Sequence, residues 1–169
     1  MTVTNIIRNL RQGTLVIQDG STPEPQRLTI RFDRGNLSWT ERTNTIVVKD
    51  RGSIAQGHIR PGDDEPVELT FIAYWTQLLG QSTDAADPLQ LYEFLNFLSG
   101  ADVVSTSPAG EQETLQFEFT VADPAGEASE TIVFAKVYKE SLTLRESPEF
   151  NEIAFTGFDF EPRPTVLRA

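Results

Sequence analysis

The chain has 169 residues and a formal net charge of −11, from 14 basic and 25 acidic side chains; this length is enough for one hydrophobic core and short for two. There is no cysteine and a single histidine, His58, which excludes disulfides, thiolate nucleophiles, zinc–thiolate and iron–sulfur sites and any multi-histidine metal centre. The acidic surplus argues against gripping nucleic acid by its phosphates, and no apolar run reaches the roughly 18 residues of a membrane span.

Residues 1–13 have no uninterrupted apolar stretch and no small-residue cleavage site, so they read as an arm and not as a secretory signal, and a soluble protein is expected. Thr14 to Gln18 and Arg27 to Phe32 flank the Pro-rich turn GSTPEPQ and predict a hairpin. Arg8, Arg11, Arg31 and Arg34 form a candidate phosphate patch. Arg31, however, belongs to a strand whose other face is Leu28, Ile30 and Phe32, so the polar face of a half-buried sheet is the preferred reading. Thr45 to Asp50 is a further strand. The segment that follows, RGSIAQGHIRPGDDE at 51–65, is rich in Gly and charge and lacks clean periodicity. With its flanks it makes a long extended loop over 41–66, of a length that compact domains reserve for function or disorder. Within it, His58 reads as a surface residue and not as a general base. Asp63, Asp64 and Glu65 lack the alternating spacing and central glycine of a calcium loop and read as a solvated turn.

Pro66 to Trp75 alternates; Trp39 and Trp75 are candidate stacking platforms, but Trp75 shares the parity of Val67, Leu69 and Phe71, so core or interface burial is expected for it. One helix is predicted over about residues 88–99. Asp87 is its N-cap, Pro88 its first residue, Leu91, Phe94, Leu95 and Leu98 its apolar stripe, and Gly100 its end. ETLQFEFTVAD places Leu115, Phe117, Phe119 and Val121 on one face. After the turn DPAGE, ETIVFAKVY sets Ile132, Phe134 and Tyr138 against Val133, Ala135 and Val137, so this hairpin partner is apolar on both faces. Ser141 to Glu146 and Asn151 to Phe160 complete the strands, and residues 161–169 form a second candidate arm. Seven of the eleven phenylalanines lie at or beyond Phe117, so the C-terminal half supplies most of the aromatic core. No internal repeat or linker divides the chain, which predicts one domain over 1–169.

No phosphate-cradling glycine motif and no catalytic constellation is present; no enzyme activity and no cofactor is expected. Carboxylates are numerous enough that a glycosidase-like pair is not excluded by sequence, though nothing points to one. The charge is uneven. Residues 1–60 carry nine Lys/Arg against five Asp/Glu, a net of +4, and residues 61–169 carry a net of −15. Such asymmetry suits either a basic arm for nucleic acid or head-to-tail self-association.

The order of features is then informative: an arm, a strand pair, the long loop ending GDDEPVELTF, one helix at DPLQLYEFLNFL, a hairpin, and a closing IAFTGFDFEP. Over nearly the whole chain this resembles the tail tube proteins of long-tailed bacteriophages, related to the type VI secretion tube protein and to the tubes of contractile injection systems. The resemblance implies a mainly β fold, a two-sheet β-sandwich or barrel with one flanking α-helix. It implies a virion structural protein of the tail, assembled in the host cytoplasm, whose hexameric rings stack into a conduit for DNA ejection. Its partners would be further copies of itself and the terminator, tape-measure and distal tail proteins, with DNA passing unbound and no membrane contact. A sheet continuing into its neighbour has no free edge, and a ring with two different faces stacks into an open filament. A tail terminator or neck ring protein shares the fold and is the alternative; a small β-sandwich module for a carbohydrate or protein ligand is another. On the resemblance, Glu118 and Glu68 are the candidate lumen-facing carboxylates, and Arg60, Asp63, Asp64 and Glu65 the candidate inter-ring contacts of the loop.

Overall fold

The computed structural model describes residues 13–30, 36–74, 90–98, 102–122, 128–146 and 148–169. In chain order the elements are β1 (Thr14–Gln18), β2 (Arg27–Ile30), β3 (Ser38–Thr40), β4 (Thr43–Asp50), β5 (Ser53–Asp64), β6 (Val67–Tyr74), α1 (Leu91–Leu95), β7 (Leu115–Ala122), β8 (Ser129–Arg145), β9 (Glu152–Asp159) and β10 (Thr165–Arg168). Arg8, Arg11, Arg31, Arg34, Trp75, Asp87, Pro88 and Gly100 lie outside the described residues.

Among the described residues, eight strands form one antiparallel sheet in the order β2-β1-β7-β8-β9-β6-β3, with β10 also on β8, and β4 and β5 pair only with each other as a second, two-stranded sheet. The 17-residue β8 joins the two halves of the large sheet. Its first half pairs with β7 along Ser129 to Val137, its second half with β9 along Val137 to Arg145. The sheet folds over at β8, so the two layers of the sandwich belong to one continuous ladder. Phe117 of β7 meets Phe71 of β6 and Phe155 of β9, with ring centroids 6.0 and 5.3 Å away, and Trp39 of β3 meets Phe134 of β8 edge-on at 5.8 Å.

Alternation dictates which side chains enter the core. Val67, Leu69, Phe71 and Ala73 of β6 are buried, as are Leu115, Phe117 and Phe119 of β7 and Ile153 and Phe155 of β9. Burying each phenylalanine contributes about 1.5–3 kcal/mol, so the six fully buried rings, Phe71, Phe94, Phe117, Phe119, Phe134 and Phe155, dominate cohesion. The expected hairpins at β1–β2 and β7–β8 are both present. One parity differs from expectation. A bulge sets Leu115 opposite Val137 but Phe117 opposite Phe134. The extra residue in β8 shifts the alternation by one, so Val137 and not Tyr138 follows Phe134 into the core.

The helix is shorter than its apolar pattern suggested. It spans Leu91–Leu95 and is preceded by Gln90, whose amide donates to Glu93 Oε2 at 3.1 Å. Phe94 and Leu95 supply its buried face, while Leu91 is only partly buried. At its C-terminal end the Lys139 ammonium of β8 donates to Asn96 Oδ1, and a cleft of about 200 Å³ opens there between Leu95, Phe97, Gln112, Glu113 and Tyr138. Burial holds the Lys139 amine below its ordinary value despite the nearby Glu113. No helix among the described residues is long and apolar enough to cross a membrane.

Two buried aspartates fasten loops to this frame. Asp19, at the end of β1, accepts hydrogen bonds from Ser21 N, Ser21 Oγ, Gln26 N and Val104 N, at 2.6 to 3.2 Å, and so ties the β1–β2 turn to the segment after α1. Asp159, at the end of β9, accepts from Lys136 N at 3.0 Å and Glu161 N at 3.4 Å through one oxygen, where the chain breaks from β9 before resuming as β10.

Candidate assembly interface

The segment expected as an irregular loop is a regular β-hairpin arm. β4 and β5 pair from Thr43 opposite Asp64 to Asp50 opposite Ser53, and Arg51 (φ 47°) and Gly52 (φ 81°) close the turn in left-handed conformations. A turn with two positive φ values matches the right-handed twist of the strands it joins, and glycine meets that demand without strain. At about 3.3 Å per residue, the 12-residue β5 reaches roughly 40 Å. The periodicity is absent from the sequence because both faces of the hairpin are exposed, so nothing selects apolar residues on one side.

The apolar side chains it carries are out in solvent: Ile46 and Val47 are 54% and 52% exposed, and Ile54 and Ile59 both 70%. Val47 and Ile59 are cross-strand partners on one face; Ile46 opposite Arg60 and Val48 opposite His58 share the other. On that second face Arg60 Nε donates to His58 Nε2 at 3.0 Å. Residues 45–61 hold Lys49, Arg51 and Arg60 against Asp50 alone, so the outer arm is basic on a chain that is strongly acidic. An isolated two-stranded hairpin is marginal in water, and this one adds exposed apolar surface to that cost. It has the character of half an interface.

Arg60, Asp63, Asp64 and Glu65 all belong to this element or its root. Arg60 lies on the exposed arm, whereas Asp63 and Asp64 end β5, and Glu65 leads into β6. Asp63 and Asp64 line a cleft of about 310 Å³ at the arm's root, whose other walls include Glu41, Arg42, Pro162 and Arg163. The arm thus stands beside the break between β9 and β10. No group of three or more metal-ligating side chains occurs among the described residues.

Glu118 and Glu68 point away from the core on the outer faces of opposite layers. In the first layer Glu118 sits in the row Val16, Glu118, Val133, Thr165, flanked by Thr14, Thr120 and Thr131. Its side chain, 21% exposed, accepts from Gln116 Nε2 at 2.7 Å and lies 3.9 Å from Arg27 Nη2. In the second layer Glu68 pairs with Arg42 at 2.9 Å and Glu152 with Arg145 at 2.6 Å, around a hydroxyl row of Ser38, Thr70, Thr156 and Ser141. The Glu118 face is hydroxyl-rich around Val16 and Val133, whereas the Glu68 face also carries Ile72, Ala154 and Phe158, the last directly opposite Glu68; the charges named on each face are paired. The acidic surplus lies elsewhere. Because the two glutamates are on opposite sides of the sandwich, one wall presents one of them and not both.

No protein-family model matches the sequence, and no curated protein matches it in sequence. Solved structures do match over the full length. The cap that terminates the tube of an anti-feeding prophage aligns at 17% identity and a TM-score of 0.56, covering 100% of this chain and 95% of that one. The fold is that of phage-tail-like tube and terminator proteins. A chain of the sheath–tube complex of an extracellular contractile injection system, in its extended state, aligns at 12% identity and a TM-score of 0.58, with 98% and 93% covered. The sheath/tube terminator of the same system aligns at 14% and 0.54, with 99% of both chains covered. At these identities the likeness is one of fold. The neighbours named here belong to an anti-feeding prophage and to an extracellular contractile injection system.

Proposed function

We propose that this chain is a structural ring subunit of a phage-tail-like particle, placed at the end of its tube as a terminating cap and not in the repeating body. The observation that carries this reading is the full-length match to a tube-terminating cap and to a sheath/tube terminator. The arm supports a structural role: it exposes apolar surface, pairs only with itself and stands off the sandwich. On this reading six copies close a ring. The arm, with Arg60, Asp63, Asp64 and Glu65, contacts the adjoining ring of tube subunits, and the outer face bearing Glu118 borders the lumen. A charge-balanced, hydroxyl-rich wall there suits passage of DNA or another cargo without retention, since each unpaired cation facing a polyanion adds affinity. Sheath, tube and distal tail proteins are its partners, in a particle assembled in the host cytoplasm.

The second reading is the repeating tube subunit, favoured by the match to a chain of a sheath–tube complex. Negative-stain electron microscopy of the purified protein decides between them. A terminator gives single rings that do not elongate as concentration rises, and a tube subunit gives filaments of stacked rings. A strict monomer at every concentration and salt sinks both.

A further inference from the structure

The residue that the assembly reading leaves unused is Asp159. It occupies an inward position in β9, in register with Ile153, Phe155 and Gly157, and its side chain is fully buried. An acidic residue at a core position costs several kcal/mol if charged and unpaired. Here one oxygen is satisfied, by the amides of Lys136 and Glu161, and the other is buried with no protein hydrogen-bond partner among the described residues. A carboxylate with one bare oxygen is poorly matched to this site; a neutral carboxyl keeps the two bonds at Oδ1 and carries no charge, so only the smaller cost of an unpaired hydroxyl remains at Oδ2.

What the two bonds hold is the break between β9 and β10. Phe160 N donates to Lys136 O at 3.1 Å, and five residues later β10 resumes along the same edge of β8, with Thr165 opposite Val133. The bridging segment includes Pro162 and Arg163, which form one wall of the cleft at the root of the arm. Asp159 is therefore one short turn from the arm's seat.

We propose that Asp159 is a proton-operated latch, which in its neutral form closes the β9–β10 break and on losing its proton loosens the turn at Phe160 to Pro164 that walls the root of the arm. The groups facing it favour this. From β8, Lys136 draws its pKa down, and from the turn Glu161 pushes it up; these two pair with each other at 3.9 Å, so their influences oppose. β6 presents Val67, which is apolar, while Glu68 beside it points to the other face and is paired with Arg42. Lys139, further along β8, is turned to Asn96. Desolvation is left as the largest influence, partly offset by the two amides, and it raises the Asp159 pKa above the ordinary value of 3.8. A raised pKa means that the site's stability is complete below that ordinary value and is lost as pH rises through the folded-state pKa.

The inference does not depend on whether the chain ends a tube or extends it, and its test uses the purified wild-type protein. Side-chain carboxyl carbons of aspartate are followed by NMR from pH 3 to pH 9, with the Asp159→Asn variant serving to assign the resonance. The expected result is an Asp159 carboxyl that titrates above the ordinary aspartate range. Above that point, hydrogen exchange at the amides of Lys136, Phe160 and Glu161 should quicken by up to about tenfold per pH unit beyond the intrinsic base-catalysed rise. Amides in the middle of β6, which do not border the break, serve as the internal reference. A carboxyl that titrates at or below the ordinary range overturns the latch. So does constant protection of the three amides across its titration, which makes Asp159 a buried acid with no conformational consequence.

Discussion

Asp19 at the end of β1 and Asp159 at the end of β9 are both buried, and the number of donors around each decides their opposite behaviour. Burial pushes the Asp19 carboxyl up, but hydrogen bonds from Ser21, Val104 and Gln26 outweigh it and hold the pKa below the ordinary value. A lowered pKa contributes stability above the unfolded value of 3.8, lost as pH falls through the folded one. Asp19→Asn replaces one acceptor oxygen by a donor facing donors and should destabilise by about 2 kcal/mol at neutral pH. Denaturant unfolding should also show a flatter loss below pH 4 in this variant. Glu118 poses the complementary case. Its charge offsets Arg27, 3.9 Å away, on a face with few other ions. If that face borders the lumen, Glu118→Gln leaves a bare guanidinium there, and assembled rings should gain salt-sensitive affinity for DNA, read by filter binding; rings that remain indifferent to DNA place the face elsewhere. Gly157 is needed for space, because a Cβ there would lie 2.4 Å from Tyr138 O and 2.6 Å from the Phe155 ring. Gly157→Ala should therefore cost several kcal/mol, about as much as a poorly accommodated core substitution, measured as a lowered unfolding midpoint.

At the scale of elements, the arm separates from the sandwich more cleanly than any other part. Because β4 and β5 pair only with each other, replacing residues 45–61 by a short turn should leave the large sheet intact, with near-UV circular dichroism unchanged and Tm within a few degrees. The deletion must take both strands, since removing 52–64 alone would strip β4 of its partner. The shortened protein should lose association between rings while keeping its fold, read by sedimentation. Val47→Asp with Ile59→Asp puts two charges on one face of the intact arm and should weaken association similarly. Loss of the monomer's fold on deletion would mean that the arm braces the sandwich. β10 contrasts with the arm: all four of its residues are exposed, yet it is hydrogen-bonded to β8 along its length.

For the whole molecule, charge is distributed by element more than by sequence half. The outer arm is basic, and the two outer sheet faces pair Arg27 with Glu118, Arg42 with Glu68 and Arg145 with Glu152. If the arm docks on the acidic remainder of a neighbouring subunit, association should weaken as sodium chloride rises, because exposed charges are screened over about 8 Å at physiological ionic strength. An association that strengthens in sulfate and ignores chloride would assign the contact to Ile46, Val47, Ile54 and Ile59 instead.

The sequence alone determined the strands that face one core. In β6, β7 and β9 burial is one-sided, so each apolar residue at period two records which side is inside, and the mainly β fold with its one helix follows. It did not determine the arm, because a ribbon solvated on both faces leaves no such record. Nor did it foretell the exchange of Val137 for Tyr138, which depends on a bulge set by the register between β7 and β8. Asp159 was legible in principle from the alternation through Ile153, Phe155 and Gly157. That its second oxygen would find no partner was decided only when β8, β9 and the turn after it met in three dimensions. The same holds for Glu118 and Glu68: alternation turned both away from the core, but only the fold at β8 put them on opposite sides of the molecule.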